Sequence, residues 1–554
     1  MRALIKNDQM DFTGGIFTSL GDLIMPPNTA KKLQNARVDK GGFQKIPGTT
    51  LLNSTALSAA ISSQHRIYQG TYEKLIATSG DGMYYWDATS KLFSILRSAL
   101  TESKCWSYVS YNTITYAGSG FDTPVQMVLT SDVPVISDWQ FAAVSDFAAS
   151  DATAIGVSDA QAVVSDCQQF VVCRERIYGL INGTNPDRVY HCANENDALS
   201  DGGILKEVYG LAKPDVWGSN LYQAFPYEST DELVRGGAEL NGLLVVFTNN
   251  TITTLDTSTT IWEKIIRERN IGCVNWRTIK PFAGGIIFLA KQGVYYFNGI
   301  QAFCISEDIK PQIDNISKTY IANCFAETTE TQYRLHYTSV DGAGTTNDKC
   351  LIFDTSIGDI IKAVIKGGWT GEHTSTACSA SYWGAGYSDT GDLYLGDYSG
   401  YVAKVDEDAK SFYEILNTDG SRTQGNPIEW IVDTRSIDFR ELGGLEIGKL
   451  FEDLFSLWIP EANYEVIVYY SINNNPDWTE IGRVSLSYTG KARGDRDDTS
   501  IYRNFIIHPL KLENESGYLA GNFINFRFYN NDKGCACNCR GIITYASQEL
   551  DERR

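Results

Sequence analysis

The chain has 554 residues, 43% of them apolar and 12% aromatic, which is enough to build sizeable cores in about two to four domains. Its formal charge is −20, from 47 Lys and Arg against 67 Asp and Glu, which excludes a general basic face for gripping nucleic acid. With 49 Gly, 31 Tyr and 24 Phe but only 5 Met, the composition favours pleated surfaces and tight turns, so an all-β fold is expected.

The first ten residues hold no apolar core of signal-peptide length, and no run reaches the roughly 18 apolar residues of a membrane span. Most of the 12 Cys are scattered singly, so the expectation is synthesis in a reducing cytoplasm with free, mostly buried thiols. Residues 1–55 read as an extended N-terminal arm of turns. From about residue 74 to 405 one phrase recurs: an apolar strand, a Gly or Asn turn, then an aromatic strand ending in Asp or Asn. Strong copies are LIATSGDGMYYWD (75–87), LLVVFTNNTITTLD (243–256), IIFLAKQGVYYFN (286–298) and DLYLGDYSGYVAKV (392–405). Each predicts a hairpin, with Gly-Asp, Asn-Asn and Gln-Gly centres supplying positive φ. Weaker copies at 108–116, 170–190 and 333–354 bring the count to about five to seven units at spacings of roughly 35 to 60 residues. Such units fit radial blades, and a six-bladed β-propeller is expected across 56–424. Neither kelch nor WD punctuation repeats.

Two insertions interrupt the pattern. Residues 137–167, rich in Ala, Ser and Asp, read as a mobile surface loop. Ile309, Ile313, Ile316 and Tyr320 stand at helical spacing and predict a short amphipathic helix against a blade edge. After residue 410 the phrasing changes to longer alternating runs, EWIVDT (429–434), LWIP (457–460), YEVIVYYS (464–471), FIIH (505–508) and FINFRFY (523–529), which predict an antiparallel β-sandwich over 425–554. Within it, SINNNPDW (471–478) echoes the Asp box of sialidase-type propellers, S-x-D-x-G-x-T-W, with Asn473, Asn475 and Asp477 replacing Asp, Gly and Thr. Turn chemistry accounts for it: a strand to Tyr470, a turn over 473–476, and a return strand from Trp478, which clamps the hairpin.

Candidate chemistry is sparse. Cys535, Cys537 and Cys539 alternate on one strand and offer soft ligands to zinc or copper, yet no fourth ligand lies near in sequence, so small buried side chains are the favoured reading and no metal or cofactor is assigned. The five His stand apart. Glu372 beside His373, and Asp354 near Asp359, are the acid/base candidates of a propeller glycosidase, with surface solvation favoured. The densest basic run, 491–496, reads as a solvated turn. No catalytic residue is assigned, and the chain is expected not to be an enzyme.

The segments Phe12-Thr-Gly-Gly-Ile-Phe, Met25-Pro-Pro-Asn-Thr-Ala-Lys-Lys-Leu-Gln-Asn35 and Gly41-Gly-Phe-Gln-Lys-Ile-Pro-Gly48 follow one another in an order that resembles the start of tail nozzle proteins of short-tailed bacteriophages, also called tail hub or packaged-DNA stabilisation proteins. Arg269-Asn-Ile-Gly-Cys with FAGGIIFLAKQGVYYF (282–297), and then AFCISEDIKPQI (302–313), are similar to that family's central blades and the short helix after them. The resemblance implies a structural virion protein in the phage tail, made in the host cytoplasm. It further implies a hexameric ring under the portal adaptor, in contact with other tail proteins, through which double-stranded DNA is retained and ejected without specific binding. Six copies each carrying −20 would give a conduit that repels phosphate. Asp151, Asp159 and Asp166 are candidate constriction residues in that frame, although an outward solvent loop is the favoured reading. Two rival readings are a phage propeller glycosidase or depolymerase, which needs two carboxylates at the propeller mouth, and a non-catalytic host-surface adhesin.

Overall fold

The recurring hairpin phrases become strands of radial blades. The structure is a computed structural model, and it describes residues 5–548 apart from 195–211, 226–231, 487–505 and a set of shorter stretches. Six separate four-stranded antiparallel sheets form the expected six-bladed β-propeller, with inner strands Ile61–Gln69, Ser107–Tyr111, Cys167–Cys173, Val234–Leu240, Lys280–Phe282 and Ala380–Ala385. Between the fifth of these blades and the last, the weak phrase at 333–354 supplies one more radial sector: Phe325–Thr328, Gln332–Tyr337, Lys349–Asp354 and Gly368–Thr374, which are one end of a ten-stranded sheet. Each inner strand contacts the next around the ring, and Ala380–Ala385 returns to Ile61–Gln69. The second strand of the fifth blade, Gly285–Leu289, is buried along its whole length because neighbouring blades cover both its faces.

Positive φ occurs at Gly80 in the Gly-Asp centre as expected, but at neither the Asn-Asn nor the Gln-Gly centre. Asn249 and Asn250 are not left-handed; their turn is held by Thr248 Oγ1, which accepts from the backbone N–H of Asn250 (3.2 Å) and of Thr251 (2.9 Å). Left-handed pairs instead join the first and second strands of four consecutive blades, at Asn112–Thr113, Arg174–Glu175, Asn241–Gly242 and Ala283–Gly284. Only the Asn-Gly pair carries the sequence signature of such turns. Neighbouring turns brace one another: Arg174 Nε donates to Gly242 O at 2.5 Å, and Tyr111 OH donates to Glu175 at 2.8 Å.

The ring is closed by the N-terminal part of the chain. Gly48–Leu51 is the outer strand of the last blade, paired antiparallel with Val402–Asp406. Thr50 Oγ1 donates to Asp406 (2.8 Å), and Arg422 reaches both Asp406 (2.8 Å) and Thr50 (3.0 Å), which latches the closing strand. A side chain at Gly48 would place its Cβ 2.1 Å from Ser411 O, so the strand seats only with glycine there.

The expected N-terminal arm is therefore a correction. Its strands are all paired, and the reason they looked like an arm is that their partners lie hundreds of residues away. Ile5–Gln9 and the hairpin of Ala36–Asp39 with Gly42–Lys45 join Asn538–Gln548 and Lys449–Trp458 in an eight-stranded sheet. Thr29–Gln34 lies in the ten-stranded sheet, antiparallel to Trp430–Thr434 and beside Gly368–Thr374. From there the sheet runs on through Ile524–Asn530 and Glu465–Ile472 to Thr479–Ser485. The two large sheets share one apolar cluster centred on Phe43, whose ring lies 4.9 Å from Phe12, 5.7 Å from Trp430, 5.8 Å from Phe528 and 6.4 Å from Trp458. A sandwich that begins at 425 is thus not a self-contained unit: N-terminal strands complete both sheets, and one sheet continues into the propeller. Alternation along a strand reports which face is buried and says nothing about its neighbours.

Two further expectations change. The 137–167 insertion is packed, with Ala160, Val163 and Val164 on the helix Ala160–Ser165 buried among Trp139, Phe170 and Trp217. Their i, i+3, i+4 spacing was masked by the surrounding Ser and Asp. Asp159 accepts from Ser219 Oγ (2.9 Å) and Asp166 from Thr184 Oγ1 (2.5 Å), while Asp151 lies outside the described residues. The helix expected over 309–320 is only Lys310–Asp314; Ile309, Ile313 and Ile316 are buried as expected, and Tyr320 falls beyond its end. The SINNNPDW hairpin forms as read, with Asn473 and Asn474 left-handed, but Trp478 stacks under the Arg527 guanidinium of a neighbouring strand, at 4.3 Å, instead of clamping its own.

Asn35 sits where these parts meet. It is fully buried and left-handed; its amide donates to Glu429 O (2.7 Å) and Thr374 Oγ1 (3.1 Å), and its carbonyl oxygen accepts from Thr374 N–H (2.8 Å). Asn35→Ala leaves backbone groups on two other segments without partners, with an expected loss of about 2–3 kcal/mol in urea denaturation. A loss within about 0.5 kcal/mol, the range of an ordinary surface change, would show that the residue does not join them.

Candidate functional site

The starts of the inner strands surround an opening on the propeller axis, a cavity of about 650 Å³. Every radial sector lends it a residue: Ser62, Cys105, Gln168, Arg235, Arg277, Asn323 and Tyr398. Among the described residues its charged side chains are Lys104, Arg235 and Arg277, with no Asp or Glu in the lining. None of the three cations is paired with a carboxylate among the described residues. Lys104 Nζ lies 3.9 Å over the ring of Phe121, itself 53% exposed. Arg235 Nε donates to Asn249 Oδ1. Arg277 donates to Ala322 O and, at 2.9 Å, to Cys105 Sγ, so the fifth blade reaches across the opening to the segment that carries Lys104.

Deeper along the ring the charges are neutralised. Lys280 and Glu327, on adjacent inner strands, pair at 3.1 Å. His65 of the first blade stacks on Tyr108 at 4.9 Å and is held down at about 4 by burial and, second, by the charge of Lys280 in the fifth blade. Two blades that are not ring neighbours thus feel each other's side chains across the axis.

None of the residues proposed for chemistry lies at this mouth. Glu372 and His373 are consecutive on one strand and point to opposite faces. Glu372 pairs with Lys349 (2.5 Å) and accepts from Tyr337 OH (3.0 Å), whereas His373 is buried with Nε2 3.0 Å from Thr370 Oγ1. Neither is the solvated surface group that was expected. His373 lines a second cleft, of about 730 Å³, between the shared sector, the last blade and the N-terminal hairpin. His336, Cys350 and His373 stand in register there on three adjacent strands. Of the four carboxylates lining this cleft, three are engaged: Asp39 with Arg540 (3.0 Å), Glu407 with Arg37 (2.7 Å), and Asp354 with Gln332, Ser356 N–H and Ser356 Oγ (2.6–2.8 Å). Asp359 and the basic run 491–496 lie outside the described residues.

The C-terminal cysteines are split by the fold. Cys535 and Cys537 bring their sulfurs to 3.1 Å inside the apolar cluster around Phe43, while Cys539 turns to Gly541 O (3.5 Å) and burial pushes its thiol up to about 12. No group of three His, Cys, Asp or Glu able to hold a metal occurs among the described residues. The eleven described cysteines are free thiols, nine of them buried, and no described helix is long and apolar enough to cross a membrane.

No family model and no curated protein matches the chain. Similar solved structures include a chain of the mitotic checkpoint complex (11% identity, covering 66% of this chain and 93% of that one, TM-score 0.37) and the WD40 domain of Neurospora crassa Pan2 (8% identity, 65% and 95%, TM-score 0.35). A further one is the extracellular domain of the hybrid two-component system BT4673 from B. thetaiotaomicron (11% identity, 76% and 45%, TM-score 0.28). Likeness at this level extends no further than fold and says nothing of activity.

Sequence reading passed over Lys104, Arg235 and Arg277 because they are far apart and no motif joins them. A positional signal exists: each lies within three residues of the start of an inner strand, so aligning the blade phrases on those starts would have stacked the three cations.

The buried histidines make stability depend on pH. Burial, and secondarily a nearby arginine, holds His191, His336 and His373 at about 3. In the unfolded chain each takes a proton near its ordinary value of about 6.5, so their contribution is complete above that pH and erodes as pH falls. Each is expected to cost about 1.4 kcal/mol per pH unit below about 6.5. Urea midpoints measured from pH 7.5 to 5.0 should fall in that window, and His373→Gln should make the decline shallower; a flat profile would refute the account.

Proposed function

We propose that this chain is a structural virion protein of a short-tailed phage, the tail nozzle or hub, acting as a ring of identical protomers. The observation that carries the reading is an apolar rim. Leu92–Arg97 and Val135–Asp138 are the outermost strands of the first two blades, touch one another and are tied by Arg97 to Asp138 at 2.6 Å. Ile95 (57%), Val133 (50%), Val135 (58%) and Leu92 (43%) are exposed along them. Unpaired edges bearing large apolar groups are sites of association in folded proteins, and a second protomer is what a ring would seat there.

Two other features support it. Among the residues that carry the resemblance to tail nozzle proteins, Phe12 and Phe43 pack in the apolar cluster of the two large sheets, Asn35 ties that body to the shared sector, and Gly48 begins the strand that closes the ring, and their use as joints of the fold supports the reading. In this reading DNA passes through the bore of the ring of protomers, and a chain of net charge −20 presents it with a repulsive wall. Ring order, docking to the adaptor and location in the tail are parts of this proposal. The glycosidase reading is less favoured, because the mouth it requires has no carboxylate lining it.

Sedimentation and negative-stain imaging of the purified chain, alone and with its adaptor, should show closed rings, with six copies of 61.4 kDa as the expected order. Ile95→Lys with Val135→Glu should yield monomers with an unchanged unfolding midpoint. Monomers under all these conditions would overturn the reading.

A further inference from the structure

The axial mouth is not accounted for by assembly, and independently of the nozzle reading we propose that it binds an acidic saccharide. The reasoning begins with charge. A chain with 20 more acidic than basic groups has carboxylates in excess for its cations, and many described bases, Arg37, Arg422 and Arg527 among them, pair with one. Lys104, Arg235 and Arg277 do not, although all three are partly buried and gather at one opening. Like charges held together at partly desolvated positions repel, and an anion placed between them removes that cost.

The remainder of the lining identifies the kind of anion. Phe121 and Tyr398 expose 53% and 38% of their surface at the opening, more than packing requires. Flat apolar faces of this kind accept the C–H face of a sugar ring. Between them are neutral hydroxyl and amide groups, of which the Gln168 side chain has no hydrogen-bond partner among the described residues. Cations to hold a carboxylate or phosphate, aromatic faces for the ring and amides for its hydroxyls together describe an acidic oligosaccharide. The cavity of about 650 Å³ falls within the usual range for a ligand site. Without a carboxylate among the described residues of the lining there is no general acid for glycosidic cleavage, so the ligand is bound and released intact.

Titration calorimetry on the full-length protein tests this with a sialylated trisaccharide, its neutral asialo counterpart, inorganic phosphate and a short single-stranded DNA. The sialylated sugar should bind, the neutral sugar at least about tenfold more weakly. Lys104→Ala and Arg235→Gln should each weaken binding about five- to tenfold at an unchanged unfolding midpoint, whereas Lys310→Ala, remote from the mouth and paired with Asp314, should leave it intact. Equal affinity for the neutral sugar, absence of sugar binding, tighter binding of phosphate or DNA, or mouth variants that retain affinity would each overturn the assignment. Because the readout is affinity and not particle size, its failure is distinguishable from failure of ring assembly.

Discussion

One short strand, Thr29–Gln34, holds the molecule together. It pairs on one edge with Trp430–Thr434 and meets Gly368–Thr374 on the other, turning what would be two sheets into one. The junction leaves no slack. Gly371 is at φ +116, and a Cβ there would stand 2.0 Å from Leu33 O, while Asn35 immediately beyond the strand spends its whole amide on the two flanking segments. Hydrogen bonds of this kind are individually modest but costly to leave unmade once buried. A propeller and a two-sheet body joined in this way move as one piece, because bending between them would break a continuous ladder and not merely extend a linker.

The same N-terminal segment closes the propeller through Gly48–Leu51, so the weld and the closure both lie within residues 29–51. The two are also linked by charge: Arg37, on the hairpin between them, pairs with Glu407 next to the last blade's outer strands. Exposed pairs of this sort contribute little alone. The value of this pair is positional: like the Thr50–Asp406 hydrogen bond, it ties the N-terminal segment to residues more than 350 positions away in sequence. Closure by such distant pairing predicts that the ring forms late in folding, after the blades, which are local hairpins.

Local chemistry was legible in the sequence and long-range neighbours were not. LIATSGDGMYYWD, IIFLAKQGVYYFN and their relatives announced the blades because a blade hairpin is a local object, with its turn and both pleats inside fourteen residues. Residues 5–45 announced nothing of the kind, as apart from the short hairpin 36–45 and the parallel pair of Gly15–Ile16 with Thr29–Ala30 the partners of its strands lie beyond residue 360. The helix Ala160–Ser165 was lost for a different reason: six residues give under two turns, too few for a period to emerge from an Ala- and Ser-rich background. Asn249-Asn250 was read correctly as a turn and incorrectly as left-handed, since Thr248 supplies a competing local hydrogen bond that composition rules ignore.

Charge was legible only as a sum. A total of −20 led to the expectation of no general basic face and of a channel wall that repels phosphate, yet in the opening that all sectors share the charged residues among the described lining are Lys104, Arg235 and Arg277. Net charge governs the field at a distance, where screening over roughly 8 Å averages neighbouring groups. Within a cavity of this size the nearest few side chains dominate, and their sign can oppose that of the whole. An anion would therefore be repelled by the particle at long range and held at the mouth once inside, which makes entry slow, strongly dependent on salt, and selective for ligands that offer more than charge. Aromatic faces and the unspent amide of Gln168 beside the cations are what a ligand of that description would use.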